Sequence, residues 1–232
     1  MTKKKTKVGK NKQIIAGALV TAALSASAGW WVLKSGVISF PVPAYQVEKV
    51  IDGDTFITKE NVRVRLASIG APEIGDCGGE EAKAKLSRYI INKPLYLKVL
   101  YTDPYNRIVS HVYTKDGFVN KMLAEGGYVY FDGSSERSEG IREVAEKAKE
   151  KKLGIFGPKC TQTTNPKNQK CVIKGNRRLH GGGTSIYRFP GCYMYDEILV
   201  QLYLGDEWFC DQKQAQKAGF IKGQDCLDKT WP

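Results

Sequence analysis

Between Tyr45 and Tyr113 the chain passes through five strand-like runs, Tyr45–Ile51, Thr55–Thr58, Val62–Ile69, Leu95–Tyr101 and Ile108–Tyr113. Their number, shortness and order predict a small five-stranded barrel. The third run is the most regular. Val62, Val64 and Leu66 alternate with Arg63 and Arg65, so one face is apolar and the other presents two guanidiniums. A change of period to 3.6 marks three helices. Glu80–Ile91 gathers Ala82, Leu86, Tyr89 and Ile90 on one face, and Val119–Glu125 is stopped by Gly126-Gly127. Glu139–Lys152 turns Ile141, Val144, Ala145 and Ala148 inward. Its lysines 147, 149, 151 and 152 collect at the carboxyl end, where cations favour the helix dipole. These elements define a domain over residues 44–158. A polar, Thr- and Asn-rich linker (159–170) and a compact module (171–228) follow.

The amino-terminal segment has a different character. Six lysines in residues 1–13 precede Ile14–Leu33, twenty residues without a charge, within a segment 14–34. A run of about this length spans a bilayer as a helix, with its lysine-rich flank cytoplasmic and Trp30 and Trp31 suited to the far interface. Ala26-Ser27-Ala28 offers a second reading, a cleaved signal peptide. Either way the rest of the chain, after a linker at 35–43, lies outside the cytoplasm, on a single-pass membrane tether or secreted.

Net charge is +12, but residues 1–34 hold seven lysines and no acid, which leaves 29 basic and 24 acidic residues beyond them. That moderate excess suits a protein that approaches a polyanion and releases it, and equally one that is merely well solvated. Nothing in the sequence points to an obligate protein partner. Six cysteines, Cys77, Cys160, Cys171, Cys192, Cys210 and Cys226, suit disulfides in an exported chain. Zinc is the alternative, disfavoured by the lack of C-x-x-C spacing and the presence of only two histidines. The expected bonds are Cys77–Cys160, tying the loop after Glu73 to the end of the barrel domain, and Cys192–Cys210 and Cys171–Cys226 within the module, which is too short for a deep core of its own.

The candidate chemistry lies at 50–73. Asp52-Gly53-Asp54-Thr55 reads as a tight turn in which Gly53 takes positive φ and holds two carboxylates close, a hard-cation site. Ala71-Pro72-Glu73 fixes the direction of a third carboxylate. His111, in a strand run, and His180, in a glycine-rich stretch, read as structural.

VIDGDT at 50–55, RVRLASIGAPE at 63–73, DPYNR at 103–107, the helix following Asn120 and a lysine-rich helix closing with Gly154-Ile155-Phe156 occur in the order found in the thermonuclease (staphylococcal nuclease-like) family, which the chain resembles from about Gln46 to Gly157. The resemblance implies an α+β fold, a five-stranded OB-type β-barrel with three helices. It also implies calcium-dependent hydrolysis of DNA and RNA phosphodiesters. Asp54 then matches the direct metal carboxylate with Asp52 nearby, and Ala71 offers its carbonyl to the metal. Glu73 matches the carboxylate that positions or deprotonates water, Arg65 and Arg107 the guanidiniums that grip the phosphate, and Tyr105 is placed to touch substrate. Gly70 departs from the family, which has a second metal aspartate there; a catalytically silent nucleic-acid-binding protein is the competing reading. The module, with IKGN at 173–176, IYRFPGC at 186–192 and EWFC at 207–210, resembles one that trails exported nucleases. Its Arg177, Arg178, Arg188 and aromatics are expected either to grip nucleic acid or to form a simple cap.

Overall fold

A computed structural model describes residues 44–133, 138, 140–177 and 183–231. The lysine-rich tail, the apolar run Ile14–Leu33, the linker before Ala44, Arg178 and His180 lie outside the described residues. Among the described residues no helix is long and apolar enough to cross a membrane.

The first sheet is built from β1 (Val47–Val50), β2 (Thr55–Thr58), β3 (Arg63–Leu66), β5 (Tyr96–Thr102) and β6 (Ile108–Thr114), in the order β1-β2-β3-β6-β5. β3 and β6 run parallel and the other neighbours antiparallel. Tyr45 and Leu95 exchange two backbone hydrogen bonds of 2.8 Å, so the segment leading into β1 meets the segment leading into β5 and completes the ring. This is the strand order of an OB-type barrel. The run expected at Val62–Ile69 breaks at Ser68, whose φ of 62° turns the chain away. Beyond it β4 (Ile69–Gly70) pairs with β8 (Tyr130–Phe131), and β7 (Gly117–Phe118) pairs with β6.

Three helices cover the barrel: α1 (Gly79–Ile90), α2 (Val119–Glu125) and α3 (Ile141–Glu150). Ala82, Leu86 and Ile90 of α1 are fully buried, as their spacing predicts. Leu86 and Ile90 join Phe56, Val64, Leu66, Val112 and Leu123 in one apolar cluster. Buried Asn120 pins α2 to the sheet. Its Oδ1 accepts from the Val112 N–H, and its Nδ2 donates to the carbonyls of Ala67 and Ser110.

The carboxyl-terminal part has its own sheet. β10 (Ile173–Asn176), β11 (Ile186–Arg188), β13 (Glu207–Phe209) and β14 (Ile221–Lys222) lie in the order β13-β10-β11-β14, with a short α4 (Gln212–Lys217) alongside. Two residues of the expected linker, β9 (Thr161–Gln162), pair with β12 (Val200–Gln201). Tyr203 packs with Phe156, Ile155 and Cys160, so an apolar cluster is shared by the barrel's last turn and the module.

All six cysteines are bonded. Cys77–Cys160 forms as expected. The other two bonds are Cys171–Cys210 and Cys192–Cys226, which corrects the expected pairs Cys192–Cys210 and Cys171–Cys226. The sheet explains the correction. Antiparallel pairing of Ile173 with Phe209 brings Cys171 and Cys210 to the same end of that ladder. The parallel β11–β14 pair carries both chains the same way, so Cys192 and Cys226 emerge together. Neither relation can be read from spacing along the chain.

Candidate active site

The turn after β1 holds its shape through its own backbone. Ile51 N–H donates to the Thr55 carbonyl at 2.9 Å, and Asp52 Oδ1 accepts from the Asp54 N–H at 2.9 Å. Gly53 does not take the positive φ expected of it. Its lack of a side chain matters for a different reason: a Cβ there would stand 2.5 Å from that of Ala82 and 2.6 Å from that of Ala71. Glycine lets the turn lie directly against α1 and the Ala71 segment, which carries the two aspartates inward.

Asp54 is 5% exposed. Its Oδ1 accepts from Arg65 Nη1 at 2.6 Å and from the Thr55 hydroxyl at 2.8 Å, while Oδ2 accepts from the Ala71 N–H at 2.9 Å. Arg65 Nη2 donates to the Ile69 carbonyl at 3.3 Å and lies 3.7 Å from Asp132 Oδ2. Burial works against the charge on Arg65, but Asp54 and Asp132 together hold its pKa above the usual value. Burial raises the Asp52 carboxyl above the usual range, and the negative charges of Asp54 and Glu73 raise it further. Like charges crowded at one spot destabilise a fold, and such crowding is characteristic of sites built for a ligand.

Glu73 is exposed. Its own loop is firmly held: its carbonyl accepts from the Asp76 N–H at 3.0 Å, and Gly79 packs so closely that a Cβ would meet the same carbonyl. The Cys77–Cys160 bond anchors that loop four residues further on. The structure thus assembles Asp52, Asp54, Arg65, Ala71 and Glu73. Ala71 takes part through its N–H. Arg107 and Tyr105 form a second group at the start of β6, the strand beside β3. There Arg107 Nε donates to Asp103 Oδ2 at 2.7 Å, the guanidinium lies 5.3 Å from the Tyr105 ring, and Tyr105 is 76% exposed.

Two residues absent from the sequence reading complete the wall. Tyr130 lies opposite Gly70 in the β4–β8 pair, and a Cβ at position 70 would meet its Cζ at 2.5 Å and its hydroxyl at 2.6 Å. The tyrosine therefore fills the space that a side chain at position 70 would need. Burial, with Asp54 and Asp132 nearby, pushes its phenol up to about 12, so it stays protonated at neutral pH. Asp132 is the other. The alternation Tyr128-Val129-Tyr130-Phe131 after Gly126-Gly127 was the available signal for this short strand.

A hard cation suits the chemistry of Asp52, Asp54 and Glu73, all oxygen donors whose mutual repulsion it would relieve. The set is poorer by the carboxylate that Gly70 lacks. Among the described residues no group of three or more His, Cys, Asp or Glu side chains is arranged to hold a metal ion.

Arg188 is paired within the module to Asp225 at 2.8 Å, and Arg177 to Glu207 at 2.6 Å. Tyr187, Tyr203 and Phe209 are buried, whereas Tyr193 is 84% exposed. His111 is buried edge-on to Phe118, as a structural histidine should be.

The chain is similar in sequence to several proteins named as nucleases. Residues 63–157 match the family model described as staphylococcal nuclease homologue. A probable endonuclease, LCL3, of Verticillium alfalfae is 32% identical over 148 residues, covering 57% of this chain and 52% of that protein. A micrococcal nuclease of Shigella flexneri is 26% identical over 141 residues, 52% of this chain and 80% of the relative. An uncharacterized endonuclease of Haemophilus influenzae is 30% identical over 115 residues, 48% and 65% respectively. The chain spans about half the length of the curated relatives it matches first.

Proposed function

We propose that the barrel domain is a nuclease that hydrolyses phosphodiester bonds of DNA and RNA with little sequence preference, using calcium, on the outer side of a membrane or in secreted form. The observation that carries this reading is the ion pair of buried Asp54 with half-buried Arg65 at 2.6 Å, with Asp52 and Glu73 crowding the same spot. A planar guanidinium matches a phosphate by two parallel hydrogen bonds and stabilises the extra charge of a five-coordinate transition state. Arg65 fills that role, pre-oriented by Asp54 and Asp132. Arg107, oriented by Asp103, supplies the second guanidinium, and the exposed Tyr105 ring offers a stacking face. Glu73, exposed on its fixed loop, takes the proton of the attacking water. Asp54 and Asp52 are the residues that would hold the cation, which when bound neutralises charge on the phosphate. Tyr130, kept protonated, places a neutral hydroxyl beside Gly70. Three disulfides support an oxidising compartment. Whether segment 14–34 is a tether or a cleaved leader determines only whether the protein stays at the membrane.

A second reading, nucleic-acid binding without cleavage, draws on one specific observation: Tyr130 covers Gly70, and the cluster is short of a carboxylate. Incubating plasmid DNA and an RNA transcript with the full chain, in calcium and then in chelator, separates the two. Nicking and RNA loss only in calcium support the nuclease; retarded but intact nucleic acid supports the binder.

A further inference from the structure

A cleft of about 330 Å³ opens between the barrel and the carboxyl-terminal module, within the size range of small-ligand sites. The barrel contributes Tyr130, Asp132 and, from α3, Glu146 and Lys149; the module contributes Arg177 and Tyr203. One end of the cleft is the wall of the candidate active site, because Tyr130 overlies Gly70 and Asp132 lies 3.7 Å from Arg65. The floor is aromatic: Tyr203 lies 6.0 Å from Tyr130 and 5.8 Å from Phe156, ring centre to ring centre. Above it stand two exposed cations, Lys149 and Arg177. Arg177 is held in place by hydrogen bonds to the Gly205 carbonyl and to Glu207. A joint between two folded parts needs only apolar packing, which the Phe156–Tyr203 cluster already supplies. The open, charged space beside that cluster is additional to the joint.

We infer that this cleft binds one unpaired nucleotide next to the bond being cut, and that the module thereby selects single-stranded nucleic acid. The inference rests on reading the neighbouring cluster as a phosphodiesterase. A base meets the aromatic floor, since stacking suits any base, while Lys149 and Arg177 meet its phosphates. A strand whose scissile phosphate lies at Arg65 leads directly into this space. In a duplex the same base is closed in the stack and must first be unstacked, which costs a few kcal/mol and disfavours double strands.

The test is fluorescence anisotropy of the full chain with a labelled single-stranded oligonucleotide, in chelator so that nothing is cut, over a range of salt. Lys149→Ala is compared with Lys147→Ala, which removes the same charge from an exposed lysine of the same helix that is paired to Glu143. Lys149→Ala is expected to weaken binding about fivefold and to lower the salt slope by about 0.7, the value for one phosphate contact on a single strand. Lys147→Ala should change neither, and the duplex of the same sequence should bind the parent chain more weakly. Equal losses in both variants, no loss in Lys149→Ala, or tighter binding of the duplex would overturn the cleft. Failure of the nuclease reading is visible separately: specific binding through Lys149 without any cleavage in calcium removes the catalytic reading and leaves the cleft in place.

Discussion

Two aspartates are buried to nearly the same depth, Asp54 in the barrel at 5% exposure and Asp206 in the module at 4%. Each accepts three hydrogen bonds. Asp206 takes them from Asn176 Nδ2 and from the N–H groups of Arg177 and Gln201, and so ties β10 to the turn after β12. Asp54 takes them from Arg65, Thr55 and Ala71, yet Asp52 and Glu73 press their charge on the same region. Burial raises the carboxyl of Asp206 while the donors around it act in the opposite direction. Satisfaction of hydrogen bonds thus does not distinguish a structural acid from a functional one. The surrounding charge does: a stability-optimised site has no use for three acids around one turn, whereas a site for a phosphate and a cation does.

Matched substitutions make that contrast measurable. Asp54→Asn should lower the cleavage rate about 10²–10³-fold, since it removes the charge that orients Arg65 and that would attract a cation. Asp206→Asn should leave the rate per folded molecule unchanged but cost about 1–3 kcal/mol of stability, because one donor loses its acceptor. Rates and urea midpoints measured on both proteins check this, and interchanged phenotypes would end the distinction.

The module depends on covalent closure more than the barrel does. Replacing Cys192 and Cys226 with Ser opens a loop with a sequence separation of 34. On chain-entropy grounds this removes about 4 kcal/mol. Hydrogen exchange should then show the module's strands unprotected and the barrel strands still protected; equal loss in both would mean that the barrel is no more self-sufficient than the module.

Position 70 sharpens the contrast inside the barrel. The sequence suggests that Gly70→Asp would restore a cation ligand, but Tyr130 stands 2.5 Å from where the Cβ would be. Gly70→Asp alone should therefore destabilise by about 1–3 kcal/mol through overpacking. Adding Tyr130→Ala removes the clash, so the double variant should be no less stable than Tyr130→Ala alone and should need less calcium for half-maximal cleavage than that single variant. Calorimetry and a calcium titration of the three variants read out both effects.

The smallest effect comes from Asp52. Its folded pKa is raised, first by burial and then by Asp54 and Glu73, so its charged form opposes folding once the pH exceeds that raised value. Asp52→Asn keeps the side-chain oxygen that accepts from the Asp54 N–H. A gain of about 1 kcal/mol would raise the melting temperature by about 2–4 °C at pH 7. The gain should vanish below the ordinary carboxylate pKa of about 4, where both side chains are neutral. A melting curve unchanged at pH 7 would show that the carboxylates are not in conflict.

What the sequence disclosed follows from which interactions are local. Period-two and period-3.6 patterns located the barrel strands and α1–α3, because burial of Val64, Leu66, Leu86 and Ile90 depends on local spacing. The turn at 52–55 and the strand at 63–66 brought Asp54 and Arg65 into view for the same reason. Tyr130 and Asp132 escaped because a two-residue strand carries too little pattern, and only its pairing with Ile69–Gly70 gives it meaning. The disulfide pairs of the module escaped because the parallel pairing of Ile186 with Ile221, across 35 positions, leaves no trace in spacing.

The most direct test of the central claim, that the acid–guanidinium cluster of the barrel hydrolyses phosphodiesters, is the cleavage rate of one defined single-stranded oligonucleotide by the full chain and by Glu73→Gln, in calcium and in chelator, with folding verified by circular dichroism. Cleavage by the parent chain in calcium, none in chelator, and a fall of about 10²–10⁴-fold in Glu73→Gln, the range for loss of a general base, are the expected results. Cleavage that persists in Glu73→Gln at the parent rate, or a folded parent chain that binds the oligonucleotide and never cuts it, would contradict the claim.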